Sequence, residues 1–286
     1  MAKTKRNFYF IGFGNMAQAI YERMDKGAYE NIFIVEKSDQ RIKEIREMSE
    51  GWYDFRLSPQ TKIIKKISKG KFSSIDIILL AVKPAQIKSV CVQLKPLIEQ
   101  EPFIVSIAAG VNSQKIRQYL GGYTVHKFAR TMPNLCAKKA MAITGLFGDP
   151  YWFGKKGGTS QGKLVSKIFS PIGQVLWVGQ ESDLDTVTAI SGSGPAYIYY
   201  IMNAMIDAAE ELGLERSDAQ RLVAQTIIGA GETGKDIYNL EEEIIKVSSK
   251  GGTTEKAIDV FKQKKLDTII KQAVKAAHKR SKELSK

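Results

Sequence analysis

Apolar positions follow two regimes along this chain, first short runs that end in glycine or proline and then long helical stripes. Asn7-Phe8-Tyr9-Phe10-Ile11 is aromatic and β-branched, the composition of a buried strand, and it runs directly into Gly12-Phe13-Gly14-Asn15-Met16-Ala17. Ala19, Ile20 and Met24 then recur at helical spacing until Gly27, and Ile32-Phe33-Ile34-Val35 supplies a second strand that ends at Glu36. This order predicts a βαβ unit. Residues 75–82 form a continuous apolar strand stopping at Lys83-Pro84, and residues 103–107 form another, stopping at Ala108-Ala109-Gly110. Residues 125–129, followed by Arg130-Thr131-Met132-Pro133-Asn134, and residues 174–178 are the remaining strand-like runs.

After Gly179-Gln180-Glu181-Ser182 the strand signals stop, which puts a domain boundary near residue 180. A helical start at 185–190 leads to Ser191-Gly192-Ser193-Gly194-Pro195. These residues offer a cap and an early proline before Ile198, Met202, Met205, Ile206 and Ala209, with Gly213 ending the helix. Ser217-Asp218-Ala219-Gln220 has the form of a capping box before Leu222, Val223, Thr226, Ile227 and Ala230. Stripes this wide are poorly covered within so small a domain. Burial against a second copy completes them, and packing on the first domain alone is the alternative. The methionines here belong to the core, and the basic run 271–286 forms the polar face of a last helix. The predicted class is α/β: a Rossmann-type dinucleotide-binding domain over 1–180, then an all-α dimerisation and substrate-binding domain over 181–286.

The first turn carries specific chemistry. Gly12 permits a tight turn, Gly14 lets the backbone approach a pyrophosphate, and small Ala17 lets the helix pack close to the strand, with the helix N-terminus facing the anion. Glu36 can hold the adenosine ribose hydroxyls and repel a 2′-phosphate, whereas Lys37 and Lys43 can neutralise that phosphate, so NADPH and NADH both stay open. Ligands of open parallel sheets sit beyond the carboxyl ends of the strands, which places Lys83, Pro84, Ala108, Ala109 and Gly110 where a cofactor lies.

Composition narrows the remaining choices. With 286 residues, 43% of them hydrophobic and 26% charged, the chain is an ordinary globular protein of about two domains. The run from Ile75 carries Asp76 and falls short of a membrane helix. The start, with Lys3, Lys5 and Arg6, has no apolar leader, so a cytoplasmic protein is expected. Two cysteines, Cys91 and Cys136, and two histidines, His126 and His278, are too few for a zinc site, a disulfide framework or a histidine triad, and His126 is expected inside a strand as a core or edge residue. The net charge of +13 is spread along the chain and intermixed with acids, a pattern that argues against nucleic acid and suits steering of anionic ligands.

The stretch Ser248-Ser249-Lys250-Gly251-Gly252-Thr253-Thr254-Glu255 resembles an anion nest. Backbone N–H groups of Gly252, Thr253 and Thr254 at a helix start can bind a carboxylate, and a plain glycine turn with a threonine cap is the alternative.

The motifs quoted so far, together with Ala81-Val82-Lys83-Pro84, Ser106-Ile107-Ala108-Ala109-Gly110-Val111, Asp185-Thr186-Val187-Thr188 and Ser191-Gly192-Ser193-Gly194-Pro195-Ala196-Tyr197, resemble those of the pyrroline-5-carboxylate reductase family from end to end. One departure is Lys250, where the family usually has proline before the Gly-Gly pair. The resemblance implies reduction of the ring C=N of 1-pyrroline-5-carboxylate to L-proline by hydride from NAD(P)H, the last step of proline biosynthesis, in a homodimer or larger assembly joined through the C-terminal helices. It also implies that Thr254 donates a proton or hydrogen bond to the ring nitrogen, and that Ser249, Gly251, Gly252, Thr253 and Thr254 hold the substrate. Met132, Asn134, Ala108 and Ala109 would lie near the nicotinamide, with Gly12, Gly14, Asn15, Met16, Ala17, Glu36, Lys37, Ala81, Val82, Lys83, Pro84 and Gly110 along the cofactor. A reductase of another cyclic imine and a non-catalytic NAD(P)-binding regulatory paralogue are the competing readings.

Overall fold

The apolar runs become strands of one sheet in the computed structural model, which describes residues 5–51, 55–67, 72–122 and 127–285. Met1, Lys3, Val125, His126 and Lys286 lie outside the described residues. The strands are β1 (Arg6–Ile11), β2 (Tyr29–Val35), β3 (Thr61–Ile64), β4 (Ile77–Leu80), β5 (Phe103–Ser106), β6 (Phe128–Met132), β7 (Ala142–Gly148) and β8 (Gly173–Trp177). Their order is β3-β2-β1-β4-β5-β6-β7-β8, and every neighbouring pair is parallel except β6 with β7. The chain steps outward from β1 to β3 and returns across β1 to place β4, so the strand order reverses between β1 and β4. That reversal opens a crevice at the carboxyl ends of these two strands.

The continuous apolar character of the strands follows from burial on both faces. Phe8, Phe10, Ile32, Ile34, Ile77 and Leu79 point into one core, and Tyr9, Ile11, Ile78, Leu80 and Ile104 into the other, with the period of two that a pleated strand imposes. Helices α1 (Asn15–Arg23) and α2 (Asp39–Glu50) cover the first face through Ala17, Ile20 and Ile45; α3 (Ile87–Leu94) and α4 (Ser113–Leu120) cover the second through Ile87, Cys91, Ile116 and Leu120. Burial pushes the Cys91 thiol up to about 12, so it packs as a small apolar group. Past the sheet centre come α5 (Pro150–Phe153), α6 (Ser160–Phe169) and α7 (Asp183–Val187), the last leading into a π-helical turn over Thr188–Gly192.

β3 and β7 have no counterpart in the apolar pattern. β3 is a four-residue edge strand carrying exposed Lys62. β7 holds two glycines that look like breakers, yet a Cβ at Gly145 would stand 2.8 Å from Val187, and Gly148 likewise makes room for Phe153. β6 runs on through Met132, past the strand-like run that ends at residue 129.

The chain divides into two compact units, residues 1–192 with 277–286, and residues 193–276. The change of period near 180 therefore precedes this division, because α7 and the π turn pack with the first unit. In the second unit, α8 (Gly194–Glu211) and α9 (Arg216–Gly234) pack through Ile206, Ala219 and Val223, with Met202 against them. Both helices remain apolar outside this contact: Tyr199, Tyr200, Met205, Leu222 and Ile228 are exposed. Helices α10 (Leu240–Val247), α11 (Thr253–Gln263) and α12 (Leu266–Ser285) complete the chain. No helix among the described residues is long and apolar enough to cross a membrane.

Two capping expectations are corrected. Ser193 precedes α8 with helical dihedrals, because the π turn runs into the helix, and it makes no side-chain cap; only the early Pro195 is as expected. α9 begins at Arg216 with Glu215 before it, so Ser217 already lies inside the helix and no capping box forms. The basic run is also more than a solvated face. Buried Ser281 of α12 donates to Asp185 Oδ1 at 2.6 Å, and Leu284 packs against Gly110.

Candidate functional site

Two groups of predicted residues are each brought together, one in each unit. In the first unit, Gly12, Gly14, Glu36, Lys37, Ala81, Val82 and Lys83 line a cleft of about 360 Å³ at the reversal of strand order. Gly12 adopts φ +84°, and a Cβ there would stand 2.7 Å from Val82 Cγ1 and 3.1 Å from the Ala81 carbonyl oxygen, so only glycine fits. Its N–H donates to the Val35 carbonyl at 3.0 Å, which fixes the turn against the end of β2.

Gly14 differs. It is the N-cap of α1, with φ −81° and no side-chain cap, and a Cβ there would meet nothing within 4 Å. The first-turn amides of Asn15, Met16 and Ala17 therefore start a helix whose N-terminus opens on the cleft, as a pyrophosphate requires. Ala17 is buried beneath them and Met16 packs on the core. This arrangement of uncapped amides around an open glycine fits a dinucleotide phosphate.

Glu36 turns back on its own chain: Oε1 accepts from the Lys37 N–H at 2.8 Å and the Ser38 N–H at 3.1 Å, ahead of α2. Lys43 faces Glu47 at 3.6 Å on the exposed side of α2 and does not line the cleft. The apolar pattern gave no hint of Arg41, which lines it: Nη2 donates to the Phe13 carbonyl at 3.0 Å and Nη1 pairs with Glu44 at 2.8 Å, so the guanidinium braces the glycine turn. A basic residue one turn into the helix after the acidic strand end was the available signal.

Pro84 opens a short 3₁₀ turn beside the cleft. Ala108, Ala109 and Gly110 follow β5 outside its lining, and Gly110, at φ +70°, is required by Leu284, whose Cβ would lie 2.8 Å from an added methyl. Asn134 is buried; Oδ1 accepts from the Cys136 N–H and Nδ2 donates to the Ser191 carbonyl, both at 3.1 Å. Met132 Cε fills the space a Cβ on Gly192 would take, at 2.7 Å. Met132 and Asn134 thus tie the end of β6 to the π turn.

In the second unit the Ser249–Thr254 group forms the start of α11. Gly252 is the N-cap without a side-chain cap, and Thr253 and Thr254 are the first two helical residues. Gly251 takes φ +74°, and its N–H donates to Glu255 Oε2 at 2.7 Å. The Gly252 N–H donates to the Ser249 carbonyl at 2.9 Å, which closes the turn before the helix. The Thr253 and Thr254 amides, whose position in the first turn gives them no intrahelical acceptor, remain to meet an anion.

The residues match known proteins over the whole chain. Residues 181–284 match the family model described as pyrroline-5-carboxylate reductase dimerisation, and residues 7–110 match the one described as NADP oxidoreductase coenzyme F420-dependent. A pyrroline-5-carboxylate reductase of Pasteurella multocida is 32% identical over 283 residues, 98% of each chain. The chain belongs to the pyrroline-5-carboxylate reductase family. The Pseudomonas aeruginosa member is 37% identical over 211 residues, 73% of this chain and 75% of the relative. Among solved structures of the family, that from Coxiella burnetii superposes with a TM-score of 0.80 at 32% identity, covering 99% of this chain and 100% of the other. The Plasmodium falciparum member, solved with NADP bound, gives 0.77 at 25% identity, covering 99% of both. As a member of this family the chain is an NAD(P)H-dependent oxidoreductase that forms homo-oligomers.

Proposed function

We propose that the protein reduces 1-pyrroline-5-carboxylate to L-proline, the last step of proline biosynthesis. What carries the reading is full-length similarity to reductases of that name, in a chain that keeps both an open glycine cleft and the Gly251-Gly252-Thr253-Thr254 helix start. NAD(P)H, when bound, supplies the hydride. Gly12, Gly14 and the first-turn amides of α1 hold its pyrophosphate, and Ala81, Val82, Lys83 and Pro84 border it. Asn15, Glu36 and Lys37 border the nucleotide half, and the residues after β5 and β6, Ala108 to Gly110, Met132 and Asn134, serve its nicotinamide side.

The substrate carboxylate is held by the Thr253 and Thr254 amides with Ser249, on the turn that Gly251 and Gly252 shape. The Thr254 hydroxyl donates to the ring nitrogen, assisting a neutral imine as its carbon is reduced. An iminium is already electrophilic, so these residues work mainly by positioning. The assembly is a homodimer or larger, formed through the exposed apolar faces of α8 to α12, and the reaction takes place in the cytoplasm, where reduced nicotinamide is at hand.

The test is the fall in absorbance of NADPH and of NADH on mixing purified protein with the imine. Rapid oxidation supports the reading. A folded protein that binds nucleotide and leaves the imine untouched refutes it.

A further inference from the structure

The segment between β5 and α4 is gripped from two directions. From one, Glu181 accepts the Ser113 N–H at 2.6 Å and the Ser113 hydroxyl at 2.5 Å, and it is paired at 3.1 Å with the buried Arg130 guanidinium of β6. From the other comes the last turn of α12. Leu284 covers Gly110 so closely that a Cβ on this glycine, at φ +70°, would stand 2.8 Å from the Leu284 Cβ. Asn112 uses both ends of its amide: Oδ1 caps α4 by accepting from the Lys115 N–H at 2.8 Å, and Nδ2 donates at 3.1 Å to the Ser285 carbonyl, one of those a helix C-terminus leaves open. The turn is itself anchored on Asp185 of α7, whose Oδ1 accepts from Ser281 at 2.6 Å and from Ser285 at 3.4 Å, with Asp185 and Ser281 both buried.

We propose that Ser281, Leu284 and Ser285 are positioning residues for the reaction: acting through Gly110 and Asn112, the last turn of α12 fixes the segment 108–112 against which the nicotinamide is held. The proposal rests on the reading above that Ala108 to Gly110 serve the nicotinamide side of the cofactor. Satisfied buried polar groups specify one arrangement where apolar packing tolerates several, and this clamp is built from such groups. Gly110 adds a steric stop, since a buried glycine at positive φ under a helix leaves the backbone no room to rise. Loosening the turn lets the segment shift, and hydride transfer is sensitive to displacements well below the length of a side chain. The pyrophosphate turn at Gly12 and Gly14 makes none of these contacts, so the nucleotide half of the cofactor binds as before.

The test uses Ser281→Ala and Leu284→Gly in the full chain, with Ser281→Thr as the variant that keeps the hydroxyl. Leu284 is 54% exposed, so its replacement leaves the fold standing if Ser281→Ala does not. Three readouts are taken: the fluorescence of bound NADPH, which reports the surroundings of the nicotinamide; the affinity for ADP-ribose, which lacks the nicotinamide; and kcat on the imine with its primary isotope effect from NADPH dideuterated at C4. Both variants should bring the fluorescence toward that of free NADPH and lower kcat about tenfold with a larger isotope effect. The affinity for ADP-ribose should stay within about twofold, and Ser281→Thr should restore the rest. Fluorescence and kcat like those of the unaltered chain overturn the proposal. So does a matching loss of ADP-ribose affinity, which marks a general loosening of the fold, or a failure of Ser281→Thr to restore. A chain inactive on the imine still reports the clamp through fluorescence, and an active one whose variants keep fluorescence and isotope effect fails here alone.

Discussion

Gly12 and Gly14 sit two residues apart in one turn, yet the structure assigns them opposite liabilities, and alanine at each position separates stability from cofactor affinity. At Gly12, φ of +84° costs an L-residue roughly 1–2 kcal/mol. The methyl would also press on Val82 Cγ1 at 2.7 Å and on the Ala81 carbonyl at 3.1 Å, a backbone atom that cannot move aside, adding about 1–3 kcal/mol of overpacking. Gly12→Ala is therefore expected to destabilise the first unit by about 2–5 kcal/mol, a fall in melting temperature of at least roughly 5 °C. Gly14, at φ −81° with no atom within 4 Å of an added Cβ, accepts alanine with a change of about 1 kcal/mol or less. Its methyl instead stands where the pyrophosphate approaches, so NADPH binding weakens by about tenfold or more. Thermal melts without nucleotide and fluorescence titration with NADPH read the two effects. The reasoning fails if Gly12→Ala melts with the wild type, or if Gly14→Ala keeps full affinity for NADPH.

Thr254→Ala should lower kcat about 100-fold while leaving NADPH affinity unchanged, measured by steady-state kinetics and titration; unaltered turnover would remove the proton-donor role. Glu36→Ala should shift the kcat/KM ratio toward NADPH, at about 1 kcal/mol of stability for the lost amide bonds. Because burial raises the Cys91 thiol to about 12, the folded state holds that proton more tightly than the unfolded chain does, and this stabilisation is complete below pH of roughly 8.5. It is lost as pH rises toward 12, so melting temperatures should decline across that window, less so for Cys91→Ala. Tyr200, 81% exposed on α8, should lie in the subunit interface; Tyr200→Glu is expected to reduce the mass seen by light scattering, and an unchanged assembly would clear that face.

The βαβ unit was legible because its signals are local: an apolar strand, a glycine turn, a small residue at Ala17 and an acid at the next strand's end. β3 and β7 were not, since Lys62 faces solvent at an edge and the β7 glycines answer to Val187 and Phe153, contacts no local pattern reveals. Caps misled for a related reason. Ser193 and Ser217 have capping chemistry, but a π turn and an earlier helix start place them where no orphan amide needs them. Within the cleft, the glycines and strand ends were readable, whereas Arg41 depends on how α2 folds back against the Phe13 carbonyl of the glycine turn. Gly110 shows the reverse case, a residue at a cofactor-like position whose glycine is required by Leu284 of the last helix.

Transfer of label from cofactor to product tests the central claim most directly. Protein incubated with the imine and NADPH dideuterated at the nicotinamide C4 should release L-proline carrying one deuterium on the δ carbon, the atom that was doubly bonded to nitrogen, seen by mass spectrometry and NMR. Unlabelled proline, or consumption of the cofactor without proline, would contradict it.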